Sequence, residues 1–312
     1  MTSTLARDTG QTTTVVLRPR YEGANIRTWI GFKHFMYLAE DAVLSWFRER
    51  GLGPHRLYHQ HGVGLAVVDS SLLLPAVLEV DDEVHAEVTA GDRPGRFGVR
   101  LRVHRDGADR LVSRGKLTVA LVREDGTPGT EPVPDELAPL VVDGVTGARA
   151  EPDAEPPGTP YEWSVRAPYF YCHFSDRLQH SAYVRLLEET VDRFLHARGI
   201  SVPRMLRERG WIPVVSRAHV RLLADAHMDE TVHIRLAVVD VFRATTYDAR
   251  MDCHVVRDGR RVPVATARIQ HGYARSRGPD AGQLASLDDG VVAALLGTAG
   301  SGGDAGRGRE PS

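Results

Sequence analysis

YVRLLEETVDRFLHARG, residues 183–199, falls on FMYLAEDAVLSWFRERG, residues 35–51, when 148 is subtracted from each number. The same offset carries the whole of His173–Asp252 onto the earlier part of the chain without a gap. Glu188 meets Glu40, Val191 meets Val43, Arg198-Gly199 meets Arg50-Gly51, Leu222 meets Leu74 and Val232-His233 meets Val84-His85. Beyond that span Arg257-Asp258-Gly259 matches Arg105-Asp106-Gly107 at an offset of 152, so an insertion sits in a hairpin, where loops tolerate one. Each copy is too long for a solenoid repeat and has the size of a small domain, which implies one fold present twice.

Within each copy a helical period comes first and a period of two follows. Phe35, Ala39, Ala42, Val43, Trp46 and Phe47 keep helical spacing, as do Tyr183, Leu187, Val191, Phe194 and Leu195, and Gly51 and Gly199 stand where a helix ends in a left-handed turn. Next, Val214, Ser216, Ala218, Val220 and Leu222 alternate with Arg217, His219 and Arg221, in the same phase as Ala66, Val68, Ser70, Leu72 and Leu74. Three more strands are expected in each copy, near 83–90, 96–104 and 111–122 and near 231–242, 245–256 and 262–273, with Asp106-Gly107 and Asp258-Gly259 as hairpin turns. Hairpin-linked strands make an antiparallel sheet that one long helix can cover. Residues 124–160, rich in Pro, Gly and acid, read as a linker; 1–14 and 276–312 read as disordered, with a short helix near 287–296.

A net charge of -2 argues against nucleic-acid binding, and nearly all cationic residues are Arg, with Lys33 and Lys116 the lysines. Cys172 and Cys253 cannot form a disulfide framework and suit a reducing compartment. The stretch MTSTLARDTGQTTT lacks an apolar signal core and no apolar run reaches the roughly 20 residues that span a bilayer, so a cytoplasmic location is expected. No metal-ligand spacing and no Gly-rich phosphate loop is evident, and no cofactor is expected.

One helix wrapped by a curved antiparallel sheet, present twice, resembles the hotdog fold in its tandem form, an α+β class with domains near 15–123 and 161–275. HFSDRLQHSAYVRLLEE, residues 173–189, resembles the loop-helix signature of acyl-CoA thioesterases of the 4-hydroxybenzoyl-CoA type, with Tyr183 opening the helix and Glu188 five positions later. VVSRAHVRLLADAHMDETVHIRLAVV, residues 214–239, is similar to their central strands. Where that type places its catalytic Asp this chain has His173, and Asp176 is the nearest acid; Gln179-His180 resembles the Gln-His pair after the acidic loop of plant acyl-carrier-protein thioesterases, which are also tandem hotdogs. The first copy has Asn25, Thr28, Phe32 and Phe35 opposite His173, Asp176, His180 and Tyr183.

The resemblance implies hydrolysis of an acyl-CoA or acyl-carrier-protein thioester, in fatty-acid or polyketide metabolism, at a site in the second copy's loop. Asp176 or His173 would activate water or attack, His180 would polarise the carbonyl, and Glu188 would hold a partner or act as a second base. Backbone donors at the helix start, with Gln179 and Tyr183, would face the oxyanion, while Phe32, Phe35 and His34 would form the wall from the first copy. Cys172 stands beside the loop as a nucleophile in principle. A dehydratase or hydratase acting on a 3-hydroxyacyl or polyketide thioester and a non-catalytic acyl-binding protein stay open, although the hydratase pattern of Asp, Asn-Pro and His is missing. The monomer would be a pseudo-dimer with neither nucleic acid nor membrane as partner, and its further homo-oligomerisation is left open.

Overall fold

The computed structural model describes residues 12–124, 126, 129–146 and 157–298; the rest of the expected disordered termini and linker lies outside the described residues. The first copy comprises β1 (Thr12–Leu17), α1 (Phe32–Glu49), α2 (Pro54–His61), β2 (Val63–Leu73), β3 (Val84–Ala90), β4 (Arg96–Arg105) and β5 (Ala108–Arg123). A short β6 (Val141–Val142) follows. The second copy repeats the order: β7 (Tyr161–Arg166), α3 (His180–Ala197), α4 (Val202–Arg209), β8 (Trp211–Leu222), β9 (Thr231–Phe242), β10 (Thr246–Arg257) and β11 (Arg260–Arg275), then α5 (Asp289–Leu296).

The apolar stripes foreseen on α1 and α3 are the buried faces of both helices. Each helix ends in the same way: Gly51 and Gly199 take φ near +71°, and Leu52 N–H and Ile200 N–H reach back to Phe47 and Leu195 carbonyls. Those bonds satisfy carbonyls that the helix end leaves open, and glycine adopts the left-handed turn without the strain of a Cβ. Truncating Phe47 or Phe194, both 1% exposed or less, to Ala would cost about 3–5 kcal/mol through lost burial and the cavity left behind.

Among the described residues the strands form one sheet with the antiparallel order β1-β3-β4-β5-β2-β8-β11-β10-β9-β7, which β6 joins in parallel beside β5. The two copies thus meet edge to edge through β2 and β8, which removes two exposed sheet edges. This is the double hotdog. The turns at Asp106-Gly107 and Asp258-Gly259 close their hairpins with both residues at positive φ. One alternation is broken: β2 and β8 carry equivalent bulges around Val68 and Ser216, so the inward phase holds for Ser70 and Leu72 and for Ala218 to Leu222, while Ser216 is exposed.

Residues 276–298 pack against the second copy, and α5 falls where a short helix was expected within the tail. Gln283–Ala285 runs beside β11, with Arg275 N–H bonded to Gln283 O and Ala285 N–H to Tyr273 O, and Asp288 caps α5 through Val291 N–H. Ala285, Leu287, Val291 and Leu295 supply the apolar burial that a Gly- and Asp-rich composition hid. In the linker, β6 pairs parallel with β5 and Leu137 is buried.

Candidate active site

Equivalent residues of the two copies touch each other at the pseudo-two-fold axis. In the sheet, Ser71 lies opposite His219; between the helices, Arg185 Nε donates to Tyr37 Oη at 3.0 Å. Both pairs differ by 148, so α1 and α3 run antiparallel with the N-terminus of each beside the middle of the other. Two related sites result, each a helix N-terminus facing a Glu. Eight residues separate Phe32 from Glu40, so the sites lie about 12 Å apart along the helix pair.

At the first site α1 begins at Phe32 after Gly31, and Glu188 of α3 approaches it. Lys33 Nζ holds Glu188 Oε2 at 2.7 Å, with the Glu side chain 41% exposed. The other oxygen, Oε1, faces Gly31, 3.7 Å from where a Cβ would stand. The first-turn N–H groups of a helix lack internal acceptors and carry partial positive charge, so this end of α1 suits an anion. Beside it opens a cavity of about 660 Å³, walled by Phe32, Phe35 and Trp29 from the first copy and by Val191, Leu195 and Ile269 from the second. Glu188 and Asp192 are the carboxylates on its lining, and its other polar groups include Asn25, Ser216, Arg243, Gln270 and His271.

The four-residue insertion forms part of this cavity. Ala90 pairs with Phe97 and its equivalent Val238 with Ala249, which places the extra residues in the β9–β10 hairpin rather than at the Asp258-Gly259 turn. The lengthened hairpin brings Phe242, Arg243, Thr245 and Thr246 onto the cavity. Arg243 and Ala244 turn it with φ of +46° and +48°, a conformation unfavourable for side-chain-bearing residues.

At the second site α3 begins at His180, and the chemistry is polar and closed. His180 Nε2 is 2.6 Å from Ser70 Oγ on β2, and His180 Nδ1 is 3.4 Å from Glu40 Oε2 on α1. Ser70 is 1% and His180 2% exposed. Asp176, mostly exposed, bonds to His227 Nδ1 at 3.1 Å; His173 Nε2 is 3.2 Å from Ser181 Oγ; and Gln179 Nε2 donates to the carbonyls of His173 and Arg177. Arg177 clamps the loop through Glu124 at 2.5 Å, a buried pair in which burial raises the Glu124 carboxyl while Arg177 opposes that rise. Tyr183 is buried beneath, its hydroxyl without a hydrogen-bond partner among the described residues, and burial holds its pKa well above the usual phenol value.

The structure therefore divides the expected residues. Phe32, Phe35 and Glu188 line the cavity; His173, Asp176, Gln179, His180, Tyr183 and His34 do not. His34 is buried against Gly23, where a Cβ would come within 2.6 Å of its ring, and burial lowers its pKa to about 4. Cys172 Sγ lies 3.3 Å from Asp176 O, and burial raises the thiol pKa, which suppresses the nucleophilic thiolate. Among the described residues no group of His, Cys, Asp or Glu is placed to hold a metal ion, and no helix is long and apolar enough to cross a membrane.

Residues 169–295 match the family model of the Thioesterase-like superfamily. That stretch begins after β7 and covers the rest of the second copy and nearly all of α5. Three solved structures share the double fold. One is a protein of Lactobacillus plantarum assigned as an oleoyl thioesterase, 14% identical, covering 88% of this chain and 98% of its own, with a TM-score of 0.61. The 12:0-ACP thioesterase of Umbellularia californica is 12% identical, with coverage of 84% and 97% and a TM-score of 0.58. An acyl-ACP thioesterase of Bacteroides thetaiotaomicron is 11% identical, with coverage of 86% and 100% and a TM-score of 0.52. No curated protein sequence matches the chain.

The stretch that the family model matches thus supplies Glu188, Asp192 and His271 to a cavity whose other wall includes Asn25 and Trp29 to Phe32 of the other copy. Lys33, Trp29, Ser70 and His271 escaped the sequence reading. Lys33 offered a signal, being one of the chain's two lysines at the start of a long helix; Ser70 stood in an alternating apolar face as its one polar member among Ala66, Val68, Leu72 and Leu74.

Proposed function

We propose that the protein hydrolyses an acyl thioester carried by coenzyme A or by an acyl carrier protein, with the acyl group in the cavity and the thioester carbonyl at the start of α1. The observation that carries this reading is the juxtaposition of a large apolar cavity, an ionisable carboxylate and an open helix N-terminus at one point. Lys33 fixes one oxygen of Glu188, and the other takes a proton from water as the hydroxide adds to the carbonyl carbon. The oxyanion that forms is met by the N–H groups of Phe32 and Lys33 at the start of α1, since His34 N–H is already bonded to Gly31 O. When the intermediate collapses, the C–S bond breaks and the Glu188 carboxyl returns its proton to the leaving thiolate, giving acid and thiol. Cytoplasmic fatty-acid or polyketide metabolism is the setting proposed for this reaction.

A second reading places the chemistry at His180, with Asp176 or His173 as base and Gln179 and Tyr183 around the substrate. The chain Ser70–His180–Glu40 favours it, because an imidazole held between a hydroxyl and a carboxylate is the arrangement that moves protons. The burial of Ser70 and His180 weighs against access. A panel of acyl-CoA and acyl-carrier-protein thioesters separates the classes: release of free thiol supports hydrolysis, loss or gain of water without thiol indicates a dehydratase or hydratase, and binding alone an acyl-binding protein.

A further inference from the structure

The apolar character of the cavity is interrupted at His271. This residue lies on β11, 3% exposed, with its ring 5.1 Å from that of Tyr247 and 5.9 Å from that of Tyr273. His271 Nδ1 and the hydroxyl oxygens of Tyr247 and Tyr273 are all sealed from solvent and without a hydrogen-bond partner among the described residues. Native interiors leave few such groups unmet; of the three residues His271 is the one that lines the cavity, and so the one placed to meet a polar ligand atom there. Burial brings the His271 pKa down to about 4, so near neutral pH the ring is uncharged, with one donor and one acceptor nitrogen.

The duplication supplies an internal control. His271 pairs with Val215 just as Val119 pairs with Val67, and Tyr247 and Tyr273 correspond to Gly95 and Leu121. All three polar positions are therefore apolar in the first copy. A purely structural need of the fold at these positions is met there by Val, Gly and Leu, so the fold itself does not require the cluster.

We propose that this cluster is a recognition subsite for a hydroxyl or carbonyl oxygen borne on the acyl group away from the thioester, and that His271 is the specificity-determining residue. The proposal rests on the reading that the cavity holds the acyl group. His271 would donate to or accept from that oxygen, while Phe32, Phe35, Val191 and Leu195 pack the hydrocarbon on either side. A saturated chain would leave the imidazole unmet, and a site built to hydrogen-bond an oxygen discriminates strongly against the analogue that lacks it.

The test compares straight-chain alkanoyl-CoAs with matching hydroxy- and oxoalkanoyl-CoAs, the oxygen moved carbon by carbon, and measures kcat/KM by thiol release. Binding of the corresponding free acids is measured by calorimetry. At the favoured position the oxygenated substrate should be preferred by about tenfold or more, and His271→Val, which installs the first copy's residue, should bring the ratio close to one. Tyr247→Phe, which removes a single oxygen, checks the result should the Val variant fold poorly, and should reduce the preference in part. Equal kcat/KM and equal binding for both series, or a preference unchanged in both variants, would overturn the subsite. Tighter binding of oxygenated acids, lost in His271→Val, with no thioester cleaved would sink the hydrolase reading and leave the subsite standing.

Discussion

Replacing Glu188 with Gln tests the reaction at its central group. The substitution keeps shape and hydrogen-bonding capacity but removes the charge and the proton-accepting ability. Its structural cost is confined to the ion pair with Lys33; with the Glu side chain 41% exposed and solvent screening the pair, that cost is about 1 kcal/mol or less. For a chain of this size the melting temperature should fall by only about 1–2 °C or less. The chemical cost is of another order: loss of a general base lowers turnover by about 10²–10⁴-fold, or roughly 3–5 kcal/mol in the barrier. KM should change little, because the cavity wall is unaltered. Thiol release followed with a chromogenic thiol reagent gives both constants, and Glu40→Gln, the equivalent change at the other interface, is the control. If Glu188→Gln keeps wild-type kcat while Glu40→Gln loses it, the reasoning fails and the second interface holds the chemistry.

Three further outcomes are expected. His180→Ala should leave Ser70 and Glu40 without their shared partner, which costs about 1–3 kcal/mol of stability in denaturant unfolding, while the folded fraction keeps most of its activity; loss of turnover without loss of stability would support the second reading. Filling the cavity by Phe35→Trp should raise KM most for the longest acyl chains and leave short ones nearly unaffected, and a uniform effect across chain lengths would contradict an acyl pocket. Acid should destabilise the fold through His34 and His271: both have folded-state pKa values lowered to about 4, so the unfolded chain binds the extra protons first. Their contribution is complete above the unfolded pKa of about 6.5 and shrinks as pH falls toward 4, by up to about 1.4 kcal/mol per pH unit for each group; urea midpoints that stay constant across that range would refute it.

The fold was legible because the repeat supplied two independent readings of one pattern, and a helical stripe seen at Phe35 to Phe47 and again at Tyr183 to Leu195 is hard to produce by chance. The bulges at Val68 and Ser216 were not legible: alternation continues in sequence through a residue that the ladder skips. The site was legible only by halves. Motif spacing drew attention to the loop from His173 to His180, yet spacing says nothing about whether the space beside a motif is filled. His180 is packed between Ser70 and Glu40, residues more than a hundred positions away, and only the pairing of β2 with β8 brings them together. The offset change from 148 to 152 was visible, but its placement in the β9–β10 hairpin, and so its part in the cavity, required strand registers.

Tandem duplication explains how two sites of the same geometry came to differ. In a symmetric homodimer every substitution appears at both interfaces, so a change that closes one closes the other. Fused in one chain, the copies are free of that constraint, and they differ at Phe32 against His180, Ala218 against Ser70 and Asp192 against Leu44; Phe32 and Asp192 line the cavity, whereas His180 and Ser70 make the closed pair. Glu40 and Glu188 remain alike because each faces the positive end of the opposite helix, a role independent of what lies beside it. At one interface the Glu is joined to a buried His-Ser pair that ties β2 to α3 across the copies; at the other it stands beside a cavity. The closed interface fixes the antiparallel register of α1 and α3, and that register sets where Glu188 meets Gly31. A change at His180 should therefore reach the cavity only through helix position, altering KM and stability together, whereas a change at Glu188 acts on the reaction alone.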